Sequence, residues 1–217
     1  MVIKVENYTK ILNKNIILDN INISFESGKV YGLNGVNGSG KTMLLRAICG
    51  LIIPTKGNVY IDDKKIPDDI SFPPSIGMLI ENPSFISNYT GFQNLKTIAS
   101  LKNIVSENDI KKIILSVGLD PNDRRTFKKY SLGMKQKLGI VAAIMENPRL
   151  LILDEPLNAI DKSGVKQIKN IIKELKSQGT LIIITCHSFE ELKELSDVIV
   201  TIDNAKIIDI QKVEELK

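Results

Sequence analysis

Eight consecutive residues, Gly35-Val36-Asn37-Gly38-Ser39-Gly40-Lys41-Thr42, complete the pattern G-x-x-x-x-G-K-[ST]. They sit between a strand-like Val30-Tyr31-Gly32-Leu33 and a segment, residues 43–49, that reads as helix. In that setting the glycines let a tight loop turn its backbone N–H groups inward around a chain of phosphates, and the dipole at the helix N-terminus favours the same negative charge. Asn37, Gly38, Ser39, Gly40, Lys41, Thr42 and Met43 are therefore expected to hold nucleotide phosphates. Lys41 is expected to reach the β- and γ-phosphates and act in catalysis, and Thr42 to offer its hydroxyl to a Mg2+ ion that bridges them.

A wholly apolar run, Leu150-Leu151-Ile152-Leu153, leads straight into Asp154-Glu155-Pro156. This puts two carboxylates at the C-terminal end of a buried strand, where ligands of open α/β sheets bind. Asp154 reads as the acid that holds Mg2+ through water, and Glu155 as the group that orients and polarises the attacking water. His187, the one histidine of the chain, lies just beyond a second apolar run, Leu181-Ile182-Ile183-Ile184. A solitary histidine is more often structural, but a place at the same rim lets this one hydrogen-bond a γ-phosphate and link it to the catalytic water. Cys186 beside it does not make a Cys-His pair, because neighbours on extended chain point to opposite sides. Both Cys186 and Cys49 are expected to be packed thiols. Further along, Ser131 is placed as the N-cap of an amphipathic helix, within a stretch from Arg124 to Lys137 that holds six basic residues and no acidic one. The cap hydroxyl and the following N–H groups form a second surface that suits phosphate; most of the six cations read as a solvated face.

The elements that must position these groups follow from periodicity. Ile21, Ile23 and Phe25 alternate with polar residues, as do the segments around Val2-Ile3-Lys4-Val5 and residues 58–61, so an antiparallel β layer is expected to flank the phosphate loop. The two apolar runs are short and bounded by polar residues, the mark of parallel strands buried on both faces. Between Pro83 and Asn147 the pattern turns helical, with Ile110, Ile113, Ile114 and Val117 on one stripe and Met134, Leu138, Val141, Ala142 and Met145 on another. Ser188 with Glu191 forms a capping box for a helix through Leu195, followed by strands at residues 198–202 and 206–210 about a turn at Asp203-Asn204. The expected fold class is α/β: one domain with a P-loop core and antiparallel layer (residues 1–82), an inserted helical subdomain (83–147) and the remainder of the core (148–217).

Composition sets outer bounds. A chain of 217 residues supports one sizeable core. A net charge of +4 is too small to argue for nucleic acid without clustering, and two cysteines make no disulfide framework. The N-terminal residues carry no apolar signal core, and no apolar run approaches a membrane span, so a cytoplasmic protein is expected.

In order along nearly the whole chain, these motifs resemble the nucleotide-binding subunit of an ABC transporter. Tyr130-Ser131-Leu132-Gly133-Met134-Lys135-Gln136 is similar to the family signature LSGGQ, with Ser131 and Gly133 matching and Leu132 in place of the first glycine. That departure, together with Ile76-Gly77-Met78-Leu79-Ile80-Glu81 and Tyr89-Thr90-Gly91, resembles the bacitracin and lantibiotic efflux group. Asn158-Ala159-Ile160-Asp161 resembles the D-loop. Glu81 falls at the position of the Q-loop glutamine, where a carboxylate reaches Mg2+ or its waters. Leu12 falls where relatives carry an adenine-stacking aromatic and offers only apolar contact; Tyr8 is the nearest ring. The resemblance implies ATP and Mg2+ as ligands and head-to-tail dimers, homodimers in the simplest case, in which Ser131 and Gly133 of one subunit close the phosphate site of the other.

The function so implied is that of an ATP-hydrolysing subunit that energises a separate membrane permease, exporting a peptide antibiotic, drug or lipid, with no nucleic-acid partner and with the chain at the inner face of the cell membrane. The alternative is a soluble ABC ATPase acting on ribosomes or DNA, whose relatives carry paired nucleotide domains or a long coiled-coil insert that this chain lacks. A small-molecule P-loop kinase would lack the signature and the Glu155–His187 pair. Phe72, Phe85, Tyr89 and Phe92 bracket Glu81 where the resemblance places the groove for a permease helix; each ring either anchors that interface or packs the helical subdomain.

Overall fold

A computed structural model describes residues 1–216. Strands β1 (Val2–Leu12) and β2 (Asn15–Glu26) form a hairpin whose turn residues, Asn13 and Lys14, both have positive φ. Its alternating Ile3, Val5, Ile21 and Phe25 point inward. Strand β3 (Val30–Asn34) then runs through the glycine loop into helix α1 (Lys41–Ile48). Strands β4 (Lys56–Ile61) and β5 (Lys64–Ile66) complete an antiparallel sheet of order β2-β1-β4-β5.

After β6 (Ile76–Leu79) come three helices, α2 (Gly91–Ala99), α3 (Glu107–Ser116) and α4 (Leu132–Ile144). The remainder alternates: β7 (Leu150–Leu153), α5 (Lys162–Ser177), β8 (Leu181–Thr185), α6 (Phe189–Leu195), then β9 (Val198–Asp203) and β10 (Lys206–Lys212). The second sheet has the order β10-β9-β3-β8-β7-β6, with β9, β3, β8, β7 and β6 mutually parallel and β10 antiparallel at the edge.

The apolar runs of β7 and β8 are explained by burial on both faces. Leu150, Ile152, Leu181 and Ile183 pack into the core shared with the antiparallel sheet and α1, while Leu151, Leu153, Ile182 and Ile184 pack against α4, α5 and α6. Full burial of each such side chain stabilises by about 1.5–3 kcal/mol. The third core joins the two stripes read from the sequence, Ile110, Ile114 and Val117 with Leu138, Val141 and Met145.

Three local expectations differ from what forms. Helix α4 is not amphipathic: its opposite face carries Ile140, Ala143 and Ile144 into the core beneath β7 and β8, because it is packed against the sheet as well as the other helices. The β9–β10 turn is Asn204-Ala205, both at positive φ, with Asp203 paired to Lys206; a two-residue hairpin of this kind needs left-handed backbone at both central positions. Ser188 caps α6 through its hydroxyl alone, and the full reciprocal capping box belongs instead to Thr90 and Gln93 at α2.

The consequence for function is positional. Adjacent parallel strands β3, β8, β7 and β6 end on one edge, and their following loops carry respectively the glycine loop, His187, the Asp154-Glu155 pair and Glu81.

Candidate functional site

Gly40 sits at the N-cap of α1 with φ 115, a backbone state that side chains rarely adopt, and this lets the loop reverse directly into the helix. Lys41 is buried and donates through Nζ to the carbonyls of Gly35 (2.7 Å) and Val36 (3.0 Å). Two of its three N–H donors are thereby used within the loop. The Ser39 hydroxyl is buried in the same loop without a hydrogen-bond partner.

The carboxylates are held by a short network. Thr42 Oγ1 donates to Asp154 Oδ2 (2.8 Å), and Thr185 Oγ1 donates to Asp154 Oδ1 (2.6 Å). Thr185 also accepts the Glu155 N–H (2.8 Å), so one buried hydroxyl fixes both acidic residues. The Glu155 backbone has φ 50, which turns its side chain out of the strand line. Its Oε2 accepts from Asn158 Nδ2 (2.6 Å) and lies 2.9 Å from His187 Nε2, while its carbonyl accepts from Gln136 Nε2 (3.1 Å).

A cavity of about 280 Å3 is lined by Thr42, Glu81, Asn82, Gln136, Asp154, Glu155 and Asn158. A neighbouring cleft of about 710 Å3 is lined by residues that include Leu12, Asn37, Gly38, Gly40, Lys41, Thr42, Met43, Glu155 and His187. That volume suits a nucleotide-sized ligand. The sequence-chosen residues of the glycine loop, both acids and the histidine thus meet in space. Leu12 joins them, 41% exposed at the cleft, whereas Tyr8 is fully buried with its hydroxyl donating to the Ile52 carbonyl (3.0 Å). Burial pushes the Tyr8 phenol up to about 12. Tyr8 is a core residue, out of reach of a ligand.

Ser131 caps α4 as expected, accepting the Met134 N–H (3.2 Å), but neither it nor Gly133 lines these cavities. Gly133 has a local reason to be glycine: an added Cβ would lie 2.5 Å from the Ala159 carbonyl, so α4 abuts the Asn158–Asp161 turn closely. Buried Lys137 pairs across this contact with Asp161 (3.2 Å), whose carboxyl is held down to about 2 by the Ser163 hydroxyl and by Lys137. Glu81 lines the smaller cavity, with its carboxylate paired to Arg46 (2.7 Å). Burial lifts the Cys186 and Cys49 thiols to about 12, which removes thiolate chemistry beside His187.

Among the described residues no group of three or more His, Cys, Asp or Glu is arranged to hold a metal ion by itself. The protein offers Thr42 and Asp154 oxygens at one point, which suits Mg2+, a cation that takes one or two protein oxygens and completes its shell with phosphates and water.

The aromatic set divides. Phe85 packs edge-on to Phe127 (5.1 Å between centroids) and, with Phe92, against the third core, while Phe72 and Tyr89 are 57% and 42% exposed. Phe85 also lines a groove of about 310 Å3 with Arg46, Leu51, Met78, Pro83 and Ala142.

Sequence reasoning missed Thr185, Arg46 and the clamp role of Asn158. Thr185 had a signal, a lone hydroxyl closing an otherwise apolar strand; Arg46 had none, since it lies in the last turn of α1 outside any motif.

Residues 18–158 match the family model described as ABC transporter. The chain is 46% identical over 211 residues to an uncharacterized ABC transporter ATP-binding protein, YybJ, of Bacillus subtilis (strain 168), with 97% of each covered. It is 39% identical to the bacitracin transport ATP-binding protein BcrA of Enterococcus faecalis (99% of this chain, 70% of that one). It is 37% identical to the lantibiotic transport ATP-binding protein SrtF of Streptococcus pyogenes (95% and 89%). A solved dimeric post-hydrolysis ATP-binding cassette, MJ0796 with ADP and Pi, superposes with a TM-score of 0.87 at 21% identity (97% of this chain, 98% of that one), a likeness that bears on the fold.

Proposed function

The chain belongs to the ABC transporter family as an ATP-binding, ATP-hydrolysing subunit, and from that premise we propose how its residues divide the work. Backbone N–H groups of residues 38–43 and the remaining Lys41 N–H bind the β- and γ-phosphates. Thr42 and Asp154 would hold Mg2+, with Glu81 contributing to its shell, and the ion would supply charge neutralisation for the phosphates. Glu155 orients the attacking water and takes its proton as the water oxygen bonds to the γ-phosphorus and the bond to ADP breaks. The Asn158 amide N–H on Oε2 fixes the carboxylate, with His187 Nε2 2.9 Å from the same oxygen, and Oε1 is left for the water. His187 links the γ-phosphate to that water, and Leu12 lies against the base.

Subunits of this family work with a membrane permease and form dimeric cassettes. We assign Ser131 and Gly133 to the partner subunit's nucleotide, which agrees with their absence from this subunit's own cavities. The dimer is head-to-tail, of two identical chains. The groove along Leu51, Met78 and Phe85, between the core and the helical subdomain (residues 83–147), receives a cytoplasmic helix of the permease. No helix among the described residues is long and apolar enough to cross a membrane, consistent with attachment at the cytoplasmic face through that partner. Similarity to BcrA and SrtF supports export of a peptide antibiotic as the work performed.

The convergence of Lys41, Thr42, Asp154, Glu155 and His187 at the ends of three adjacent parallel strands carries the reading. Purification of the tagged chain from solubilised membranes tests the coupling: a multi-span permease is expected to accompany it. Recovery with ribosomes or DNA would favour the soluble-ATPase alternative.

A further inference from the structure

Three carboxylates, Glu81, Asp154 and Glu155, line the cavity beside Thr42, and none of the residues lining it is Lys or Arg. Like charges gathered in one cavity repel one another. The cation that relieves this stands outside. Arg46, in the last turn of α1, places Nη2 2.7 Å from Glu81 Oε1, a charge-assisted bond. Glu81 itself has φ 60, a left-handed state uncommon for a residue with a side chain, so its carboxylate leaves the strand end at an angle that meets α1. Arg46 lines the neighbouring groove, and Asn82 borders both spaces.

We propose that Arg46 is the positioning residue for Glu81: its guanidinium occupies Oε1 of the carboxylate, and Glu81 turns that oxygen to the metal–phosphate site only by leaving Arg46. The inference rests on reading that site as the place of Mg2+ and nucleotide. A neutral glutamine at position 81 would need no such partner. A glutamate does, and in consequence Arg46 and Mg2+ compete for one carboxylate.

The test reads binding rather than turnover. The full chain is mixed with a fluorescent ATP analogue, and the Mg2+ concentration that half-saturates the Mg2+-dependent signal is measured. Arg46→Met keeps an unbranched chain in the groove without its charge and is expected to lower that midpoint about threefold, the scale of a half-exposed ion pair. Arg46→Lys is expected to stay near wild type. In a Glu81→Gln background, Arg46→Met is expected to change nothing. Arg46→Gln serves in the same way should the methionine variant fold poorly. A midpoint unmoved by loss of the Arg46 charge overturns the inference, as does a shift that persists with Glu81→Gln. A wild-type chain whose binding ignores Mg2+ would overturn the site reading and this inference together, so the two failures appear in different proteins.

Discussion

Replacing Thr185 with valine removes one oxygen and leaves the volume and the β-branched shape of the side chain intact. The residue is fully buried at the end of β8, so no water substitutes for what is lost. The change deletes a 2.6 Å bond to the Asp154 carboxylate and strips the Glu155 N–H of its 2.8 Å acceptor. A hydrogen bond to a charged group contributes about 1.5–3 kcal/mol, and a buried unpaired N–H costs about 1–3 kcal/mol. The added methyl returns roughly 1 kcal/mol of apolar burial. The net loss is about 3 kcal/mol, which for a domain of this size lowers Tm by roughly 6–12 °C. The same change frees one side of Asp154 while Thr42 still holds the other, and loosens the backbone that aims Glu155. A fall in kcat on the order of tenfold is expected, since displacement of a reacting group by about 1 Å costs up to a hundredfold. The Mg2+ concentration needed for half-maximal ATPase activity is expected to rise with it. Calorimetry and steady-state ATPase assays over a Mg2+ series measure both effects, with Thr185→Ser expected to restore each. A valine variant with unchanged Tm and Mg2+ requirement would refute the reasoning. A variant that loses stability alone would reduce Thr185 to a structural role.

Asn158→Ala removes the amide that donates to Glu155 Oε2 and His187→Ala the ring nitrogen 2.9 Å from it, and each is expected to lower kcat by about tenfold or more with little change in ATP affinity; an unchanged rate for either variant would remove it from that role. Leu12 provides no ring for base stacking and Tyr8 is buried, so GTP is expected to compete well with ATP, and Leu12→Tyr is expected to tighten ATP binding by about 1–3 kcal/mol at most; a strong preference of the wild type for ATP would contradict this. Tyr89→Ala is expected to weaken recovery with the permease at nearly unchanged Tm, whereas Phe85→Ala, which also removes ring packing against Phe127, is expected to lower Tm as well. Equal, purely structural effects of both would place the docking surface elsewhere.

The most legible parts of the sequence were those where one physical demand acts alone. Strands β7 and β8 read as buried because both faces are covered, and the glycine loop read as a phosphate cradle because few other uses need that glycine spacing before a helix. Legibility failed where two demands meet in one segment. Helix α4 serves two cores, so a single amphipathic stripe understated it, and the aromatics near Glu81 separate into packed Phe85 and Phe92 and exposed Phe72 and Tyr89 only once the third core is formed. The partners of the acidic residues were hidden for a different reason. Arg46 and Glu81 are 35 positions apart, and Thr185 and Asp154 are 31 apart, so only the order of the parallel strands brings them together.

The central claim is that Glu155 activates water at a site that binds ATP independently of it. Size-exclusion chromatography of Glu155→Gln with Mg2+ and ATP, with nucleotide content read from the eluted peak, tests this most directly. A dimer that retains unhydrolysed ATP is expected, alongside ATPase activity reduced at least a hundredfold, about the lower limit for loss of a general base. A variant that turns over ATP at the wild-type rate, or that no longer binds it, would contradict the claim.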